Sequence, residues 1–288
     1  ELRFVYQPIV ASGSHELVGV EALLRWERPG RGSVSPAIFI PVAEQSDLVI
    51  EIGRWGLRAA ARQLVEWEPL LEGREFSVAV NVAGVHLSRY DIVADVRAAL
   101  EEHDVDPRRF RIEITETQLV DDLDVAAEAM RGLAELGIPV VIDDYGTGFS
   151  SIAYLRQLPV HGIKIDRSFI TQLENERDRA MVESVVILAG LLELEVTAEG
   201  VETDQQLLRA EQIGCDGGEA LIDQQPRKDR VIELDVMAVH DDRILGIGNR
   251  CLSAAPGRIQ VRSSRKTLHE VMARPTILLG FFTRKQSA

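Results

Sequence analysis

Five carboxylates, one amide and one lysine occupy positions where a buried strand would ordinarily carry an apolar residue. Glu21 lies in Val-Glu-Ala-Leu-Leu-Arg, Asn81 in Val-Asn-Val and Glu113 in Ile-Glu-Ile-Thr-Glu. Asp143 and Asp144 end the apolar run Ile138 to Ile142, Lys164 sits in Ile-Lys-Ile-Asp, and Glu199 in Ala-Glu-Gly-Val-Glu. Any one such carboxylate is readily explained as the N-cap of a following helix. Taken together, Glu21, Glu113, Asp143, Asp144 and Glu199 would repel if their strand ends met, and most would have to take up protons. A divalent cation removes that conflict. Carboxylates with one amide oxygen, and no Cys or His nearby, are hard donors that suit Mg2+ or Mn2+ rather than zinc. The adjacent pair Asp143–Asp144 could serve two ions about 3.5–4 Å apart, as in two-metal hydrolysis of phosphate esters. Gly146 and Gly148 let the following loop approach closely. Lys164 faces opposite to Ile163 and Ile165. Inside a closed sheet it needs a carboxylate or phosphate partner; on a strand edge it would simply be solvated. His86, His103 and His161 lack ligand spacing and read as surface or packing residues.

The elements that must position these groups alternate between strand and helix. Strands are expected at Phe4–Val10 and Leu17–Trp26, joined as a hairpin through Ala11–Glu16, and at Phe76–Val82, Phe110–Thr115, Ile138–Ile142, Gly162–Ile165 and Glu195–Ala198. Helical periodicity covers Ile50–Leu71, Leu87–Glu102 with Ser88 as N-cap, Val120–Leu136, Ser150–Leu158, Phe169–Leu192 and Asp204–Ile213. About seven such units imply parallel β–α pairing. A closed (β/α) barrel and a doubly wound open sheet both fit. In a barrel, the polar strand ends would share one mouth.

Bulk properties narrow the function classes. The 288 residues are 45 % apolar, enough for one barrel-sized core. The net charge of −14 excludes general binding to a duplex nucleic acid backbone. From Arg243 onward, nine Lys/Arg against the single acid Glu270 give +8, so the first 242 residues carry −22. That shift marks a boundary, with a barrel expected over 1–235 and a basic extension over 236–288. The extension's apolar run Ile277–Phe282 should be buried, since exposed it would invite aggregation. Two cysteines, Cys215 and Cys251, point to a reduced, cytoplasmic setting. No apolar run reaches the roughly 20 residues of a membrane helix. The chain opens at Glu1 without Met or a signal-peptide pattern, which reads as a piece of a longer protein with a sensor domain upstream.

Seven motifs, in order, resemble the EAL domain. They are Tyr6-Gln7-Pro8-Ile9-Val10, Glu21-Ala22-Leu23-Leu24-Arg25-Trp26, Asn81-Val82, Glu113-Ile114-Thr115-Glu116, Asp143 to Gly148, Lys164-Ile165-Asp166-Arg167 and Ala198-Glu199-Gly200-Val201-Glu202-Thr203. The resemblance runs from residue 3 to about 216. It implies an α/β fold: a modified, TIM-like (β/α)8 barrel with one early antiparallel strand. It also implies hydrolysis of cyclic di-GMP to linear pGpG, and a homodimer when active. By resemblance, Glu21, Asn81, Glu113 and Asp143 would hold a first Mg2+ or Mn2+ ion and Asp144 a second, with Lys164 orienting water or phosphate. Glu199 would be the general base, Glu116 would brace the loop Asp144–Ser151, and Gln7, Arg25 and Asp166 would contact substrate. Glu202 would support the site from near its strand end.

The last strand departs from the family pattern. Gly214-Cys215-Asp216 and Pro226 stand where the family has them, but the Gln-Gly-Tyr motif reads Glu219-Ala220-Leu221, followed by Ile222-Asp223-Gln224. Glu219 adds an anion at the substrate side and removes an amide donor. Weaker substrate binding, a changed metal preference or a displaced strand is expected, although Glu219 could still accept from a metal-bound water. Three readings follow: an active phosphodiesterase, a receptor that binds cyclic di-GMP uncut, and a domain that only docks a protein partner. The retained ligand set counts against the third.

Overall fold

Residues alternate in and out along most of each strand, which puts apolar side chains under the helices and polar ones inside the sheet. The computed structural model describes residues 1–119, 123–148 and 155–220, with 239–240 and 243–244. Nine strands form the main sheet: β1 (Leu2–Ala11), β2 (Leu17–Arg28), β3 (Gly32–Val34), β4 (Ser77–Asn81), β5 (Phe110–Thr115), β6 (Val140–Tyr145), β7 (Gly162–Ile165), β8 (Glu195–Val201) and β9 (Gly217–Ala220). Their order is β1-β9-β8-β7-β6-β5-β4-β2-β3, and the β1–β2 pairing closes eight of them into a barrel. From β2 through β9 the ring runs parallel, while β1 is antiparallel to both neighbours. The barrel, rather than the open sheet, is therefore the fold, with one early antiparallel strand. Strand β3 hangs on the far end of β2 outside the ring.

Outward-facing Val78, Val80, Ile112, Ile114, Val140, Ile142, Ile163, Ile165, Val196 and Ala198 are all buried beneath the helices. Fully burying one such side chain contributes about 1.5–3 kcal/mol. The inward-facing alternates are different. Arg111, Glu113, Asp143, Lys164, Glu195, Thr197, Glu199 and Glu219 line the barrel. At the end away from the acidic cluster, Arg111 Nη1 donates to Glu195 Oε2 at 2.7 Å, spanning from β5 to β8.

Two expected helices are divided. Leu87–Glu102 is instead Gly84–Arg89 and Ile92–His103, and the cap is Asp91, whose carboxylate accepts from Ala94 N at 2.9 Å, not Ser88. Tyr90 between them is extended (φ −132°, ψ 160°), so no helix can run through it. Phe169–Leu192 is likewise Arg167–Ile170 and Glu176–Leu191, because Asn175 caps the second piece through Arg177 N at 2.9 Å. Strand β6 runs past Ile142, so Asp143 and Asp144 belong to the strand itself. The helix expected at Val120–Leu136 is seen as Leu123–Glu135.

The displaced last strand does not occur over Gly217–Ala220: β9 pairs with β8 on one side and β1 on the other. Val239–His240 and Arg243–Ile244 pair as a short antiparallel ladder. The rest of the expected extension 236–288, Leu221 to Pro226, and most of Ser150–Leu158 lie outside the described residues.

Candidate active site

Lys164 organises the barrel mouth. Its Nζ lies 2.8 Å from Glu199, 3.2 Å from Glu21, Glu113 and Asp143, and 3.3 Å from Glu219. The lysine is 1 % exposed, and Glu21, Glu113, Asp143 and Glu219 are buried with it. An ammonium has three N–H donors, so five carboxylates cannot all be served. Glu219 Oε1 is the group left over: it is buried and close to the charge but receives no hydrogen bond.

Register explains the convergence. Gln7 stands opposite Glu21 across the β1–β2 ladder, Asn81 opposite Glu113, and Thr115 opposite Asp143. Exposed Asn81 donates from Nδ2 to Glu21 Oε1 at 2.5 Å and to Glu113 Oε2 at 3.4 Å. Both residues belong to one carboxylate set, and the amide ties them together.

Electrostatics follow from burial. Burial raises the Glu113, Glu199 and Glu219 carboxyls well above the usual range, and Lys164 offsets this only in part. Burial also pushes Asp143 up, but Lys164, a hydrogen bond from Glu199 and the Asp144 N–H outweigh it and hold its pKa low. Glu199 and Asp143 are thus pushed in opposite directions, Glu199 up and Asp143 down, by the same hydrogen bond between them. Lys164 stays charged, because Glu113, Glu219, Glu21 and Asp143 outweigh the burial that would strip its proton. Asp144 is pushed up to about 6, by burial first and then by Asp143 and Asp166.

Among the described residues, three sets of carboxylates have oxygens within 4.8 Å of one another: Glu21–Glu113–Asp143, Glu21–Glu199–Glu219 and Asp143–Asp144–Glu199. All are hard oxygen donors, and an excess of buried anion with one orphaned oxygen fits a divalent cation. Asp144 has a left-handed backbone (φ 54°) and donates its N–H to Asp143 Oδ1 at 3.0 Å. Such a conformation is uncommon outside glycine and concentrates where a side chain must be aimed.

The remaining residues separate into supports and bystanders. Glu116, 2 % exposed, accepts from Gly146 N at 2.8 Å and so ties the loop after β6 to the end of β5. Gln7 is buried on the inner wall. Arg25 is half-buried, and burial with Arg3 opposite lowers its pKa; its Nη1 donates to the Leu24 carbonyl at 2.9 Å. Asp166 spends its carboxylate locally, accepting from Ser168 N at 2.9 Å and from the Ser168 hydroxyl. Glu202 is exposed, outside the three carboxylate sets, and its N–H donates to Gln206 in the capping box of Asp204–Ile213. His86 is buried on the outer layer, with Nε2 2.9 Å from Asp95. Sequence reasoning placed Glu219 beside the substrate; the structure puts it in a carboxylate set as well. The helical turn Arg167–Ile170 begins two residues before the expected Phe169 and packs against Gly146 and Gly200.

Fold and site together define an α/β-barrel protein with a lysine-centred, oxygen-donor mouth competent for a hard cation. The chain belongs to the EAL domain family, whose model matches residues 1–219. The bifunctional diguanylate cyclase/cyclic di-GMP phosphodiesterase MucR of Pseudomonas aeruginosa is 38 % identical over 218 residues, 75 % of this chain and 31 % of that protein. The cyclic di-GMP phosphodiesterase NbdA of the same organism is 39 % identical over 218 residues, 75 % of this chain and 28 % of that protein. The chain thus spans about a third of the length of these relatives. The MucR phosphodiesterase in complex with cyclic di-GMP superposes with a TM-score of 0.71 at 38 % identity, covering 76 % of this chain and 89 % of that one. No helix among the described residues is long and apolar enough to cross a membrane.

Proposed function

We propose that this domain hydrolyses cyclic di-GMP to linear pGpG with the help of Mg2+ or Mn2+. The observation that carries this reading is the convergence of Glu21, Glu113, Asp143, Glu199 and Glu219 on one buried Lys164, with Asp144 aimed in from a left-handed backbone. Glu21, Asn81, Glu113 and Asp143 would hold one ion and Asp144 a second. Bound there, such ions supply Lewis acidity, which acidifies water and shields phosphate charge.

The chain's own residues do the rest. Glu199 accepts the proton of the attacking water, a role that needs it deprotonated. Water's oxygen bonds to phosphorus, one ribose oxygen leaves and takes up a proton, and the ring opens. Lys164, at 2.8 Å from Glu199, holds that carboxylate in place and presents charge to the phosphate. Arg25 offers a planar fork for a phosphate, Gln7 lines the pocket wall, and Glu116 fixes the loop that carries Asp144. Asp166 and Glu202 act from the rim, Asp166 as a cap and Glu202 beside the β8 end. A homodimer, a cytoplasmic setting and an upstream sensor belong to the same reading.

Glu219 supports a second reading, a receptor that binds cyclic di-GMP without cutting it. It is an additional buried carboxyl where the family usually has an amide. The purified chain is incubated with cyclic di-GMP and Mg2+ or Mn2+, and the products are separated by chromatography. Appearance of pGpG supports the phosphodiesterase; intact nucleotide with binding by calorimetry supports the receptor.

A further inference from the structure

The strands on either side of β7 each carry one extra residue near their ends at the mouth. From Ile142 to Tyr145 β6 advances three residues while β7 advances two, Ile163 to Ile165. From Ala198 to Val201 β8 advances three while β9 advances two, Gly218 to Ala220. The additional residues fall within Asp143–Asp144 and Glu199–Gly200. A bulge bends its strand and re-aims the side chains at it, so Asp144 and Glu199 both point where they do because of a bulge.

The helical turn Arg167–Ile170, separated from the end of β7 by Asp166, packs beside both, at Gly146 and at Gly200. Asp166 caps the turn Arg167–Ile170 through Ser168, and Ile170 anchors it at 0 % exposure. A Cβ on Gly146 (φ 102°) would stand 2.9 Å from Cε2 of the Phe169 ring. A Cβ on Gly200 (φ 65°) would stand 2.5 Å from Cβ of Arg167. Gly146, just past the end of β6, and Gly200, on β8, therefore both give up their side-chain space to one short turn. Both also need the left-handed backbone that glycine tolerates.

We propose that the Arg167–Ile170 turn is a positioning wedge that sets the Asp144 and Glu199 bulges together, with Phe169 and Arg167 as its two contact points. This rests on reading Asp144 and Glu199 as parts of the reacting centre. Neither Phe169 nor Arg167 needs to touch substrate. The wedge makes the two carboxylates keep one spacing, and a shift at either bulge is passed to the other through the turn.

The test is amide hydrogen exchange by mass spectrometry on the metal-free chain, alongside cleavage kinetics with Mn2+. Phe169→Ala is expected to speed exchange about tenfold in both 143–148 and 197–201, while 77–81 in β4 keeps the unmodified rate. Gly200→Ala, which drives a methyl into Arg167, should speed exchange in 143–148, a segment it does not adjoin. Phe169→Leu, which keeps apolar bulk over Gly146, should restore most of the protection. In cleavage, Phe169→Ala should lower kcat about tenfold with KM for cyclic di-GMP within about twofold. Faster exchange at one bulge alone, or equally in β4, overturns the wedge and leaves ordinary packing. Absence of cleavage by the unmodified chain overturns the phosphodiesterase reading instead, and the exchange comparison still decides the wedge.

Discussion

Lys164 Nζ and Glu199 Oε1 lie 2.8 Å apart, closer than the lysine comes to any of its other four carboxylate partners. The lysine thus grips the group proposed as base, and Glu199 in turn is hydrogen-bonded to Asp143. Glu199→Gln keeps the shape and the contact to Lys164 but cannot accept a proton. Cleavage should fall by a factor on the order of 10² to 10⁴, while calorimetry still shows cyclic di-GMP bound. Cleavage at the unmodified rate would remove Glu199 from the role of base.

Asp144 gives the site a pH dependence with a definite sign. Its folded pKa is raised from 3.8 to about 6, so its contribution to the stability of the metal-free chain is present below 3.8 and lost as pH rises through 6. Cation binding runs the other way, since a ligating carboxylate must be deprotonated. Mn2+ affinity measured by calorimetry should therefore drop as pH falls below about 6, by about tenfold per unit for one proton. Asp144→Asn should flatten that slope; an unchanged slope would place the titration elsewhere.

Glu219 is the buried carboxyl whose Oε1 receives no hydrogen bond from Lys164. Glu219→Gln removes a buried carboxyl whose pKa is pushed well up by burial and supplies an N–H donor to the cluster. Thermal denaturation of the metal-free variant at pH 8 should show a higher Tm, because the raised group disfavours the folded state at high pH. Combined with Ala220→Gly, it should also raise turnover. Unchanged turnover would make the departure from the family motif neutral.

Glu116 helps hold the loop after β6 by accepting a half-buried hydrogen bond from Gly146 N. A Cβ on Gly148 would stand 2.6 Å from Glu116 Oε1, so the loop lies directly on this carboxylate. Glu116→Ala removes the acceptor of that half-buried amide, a loss of about 1 kcal/mol. A lower Tm together with a larger loss in kcat is expected, and a variant that loses stability but keeps kcat would deny the loop any part in the chemistry.

Lys164 itself is a buried cation whose removal leaves the carboxylates uncompensated. Lys164→Met should destabilise the metal-free chain by about 3–5 kcal/mol. Mg2+ should recover much of that loss in a thermal melt, because the ion supplies the missing positive charge. Failure of Mg2+ to raise the variant's Tm would argue that the carboxylates do not form a cation site.

Much of the site was legible because period-two patterning is a local property. A charged residue between isoleucines, as at Lys164, has to face away from them, and a closed sheet leaves only the interior. Glu21, Glu113 and Glu199 were legible for the same reason. Helix breaks were less so. Tyr90 and the segment Thr171–Asn175 interrupt apolar periodicity that continues through them, and the caps Asp91 and Asn175 compete with equally plausible neighbours such as Ser88.

What the sequence determined by itself is the alternation of strands and helices, the polar identity of the barrel lining and the residues that match the EAL family. Those follow from side-chain type and spacing along the chain. Tertiary structure alone decided that Glu219 shares Lys164 with four other carboxylates, that Asp166 is used up as a cap, and that one turn fills the space beside both bulges. These depend on register between strands distant in sequence and on which buried charges must share a single counter-ion. Neither quantity has a local signature.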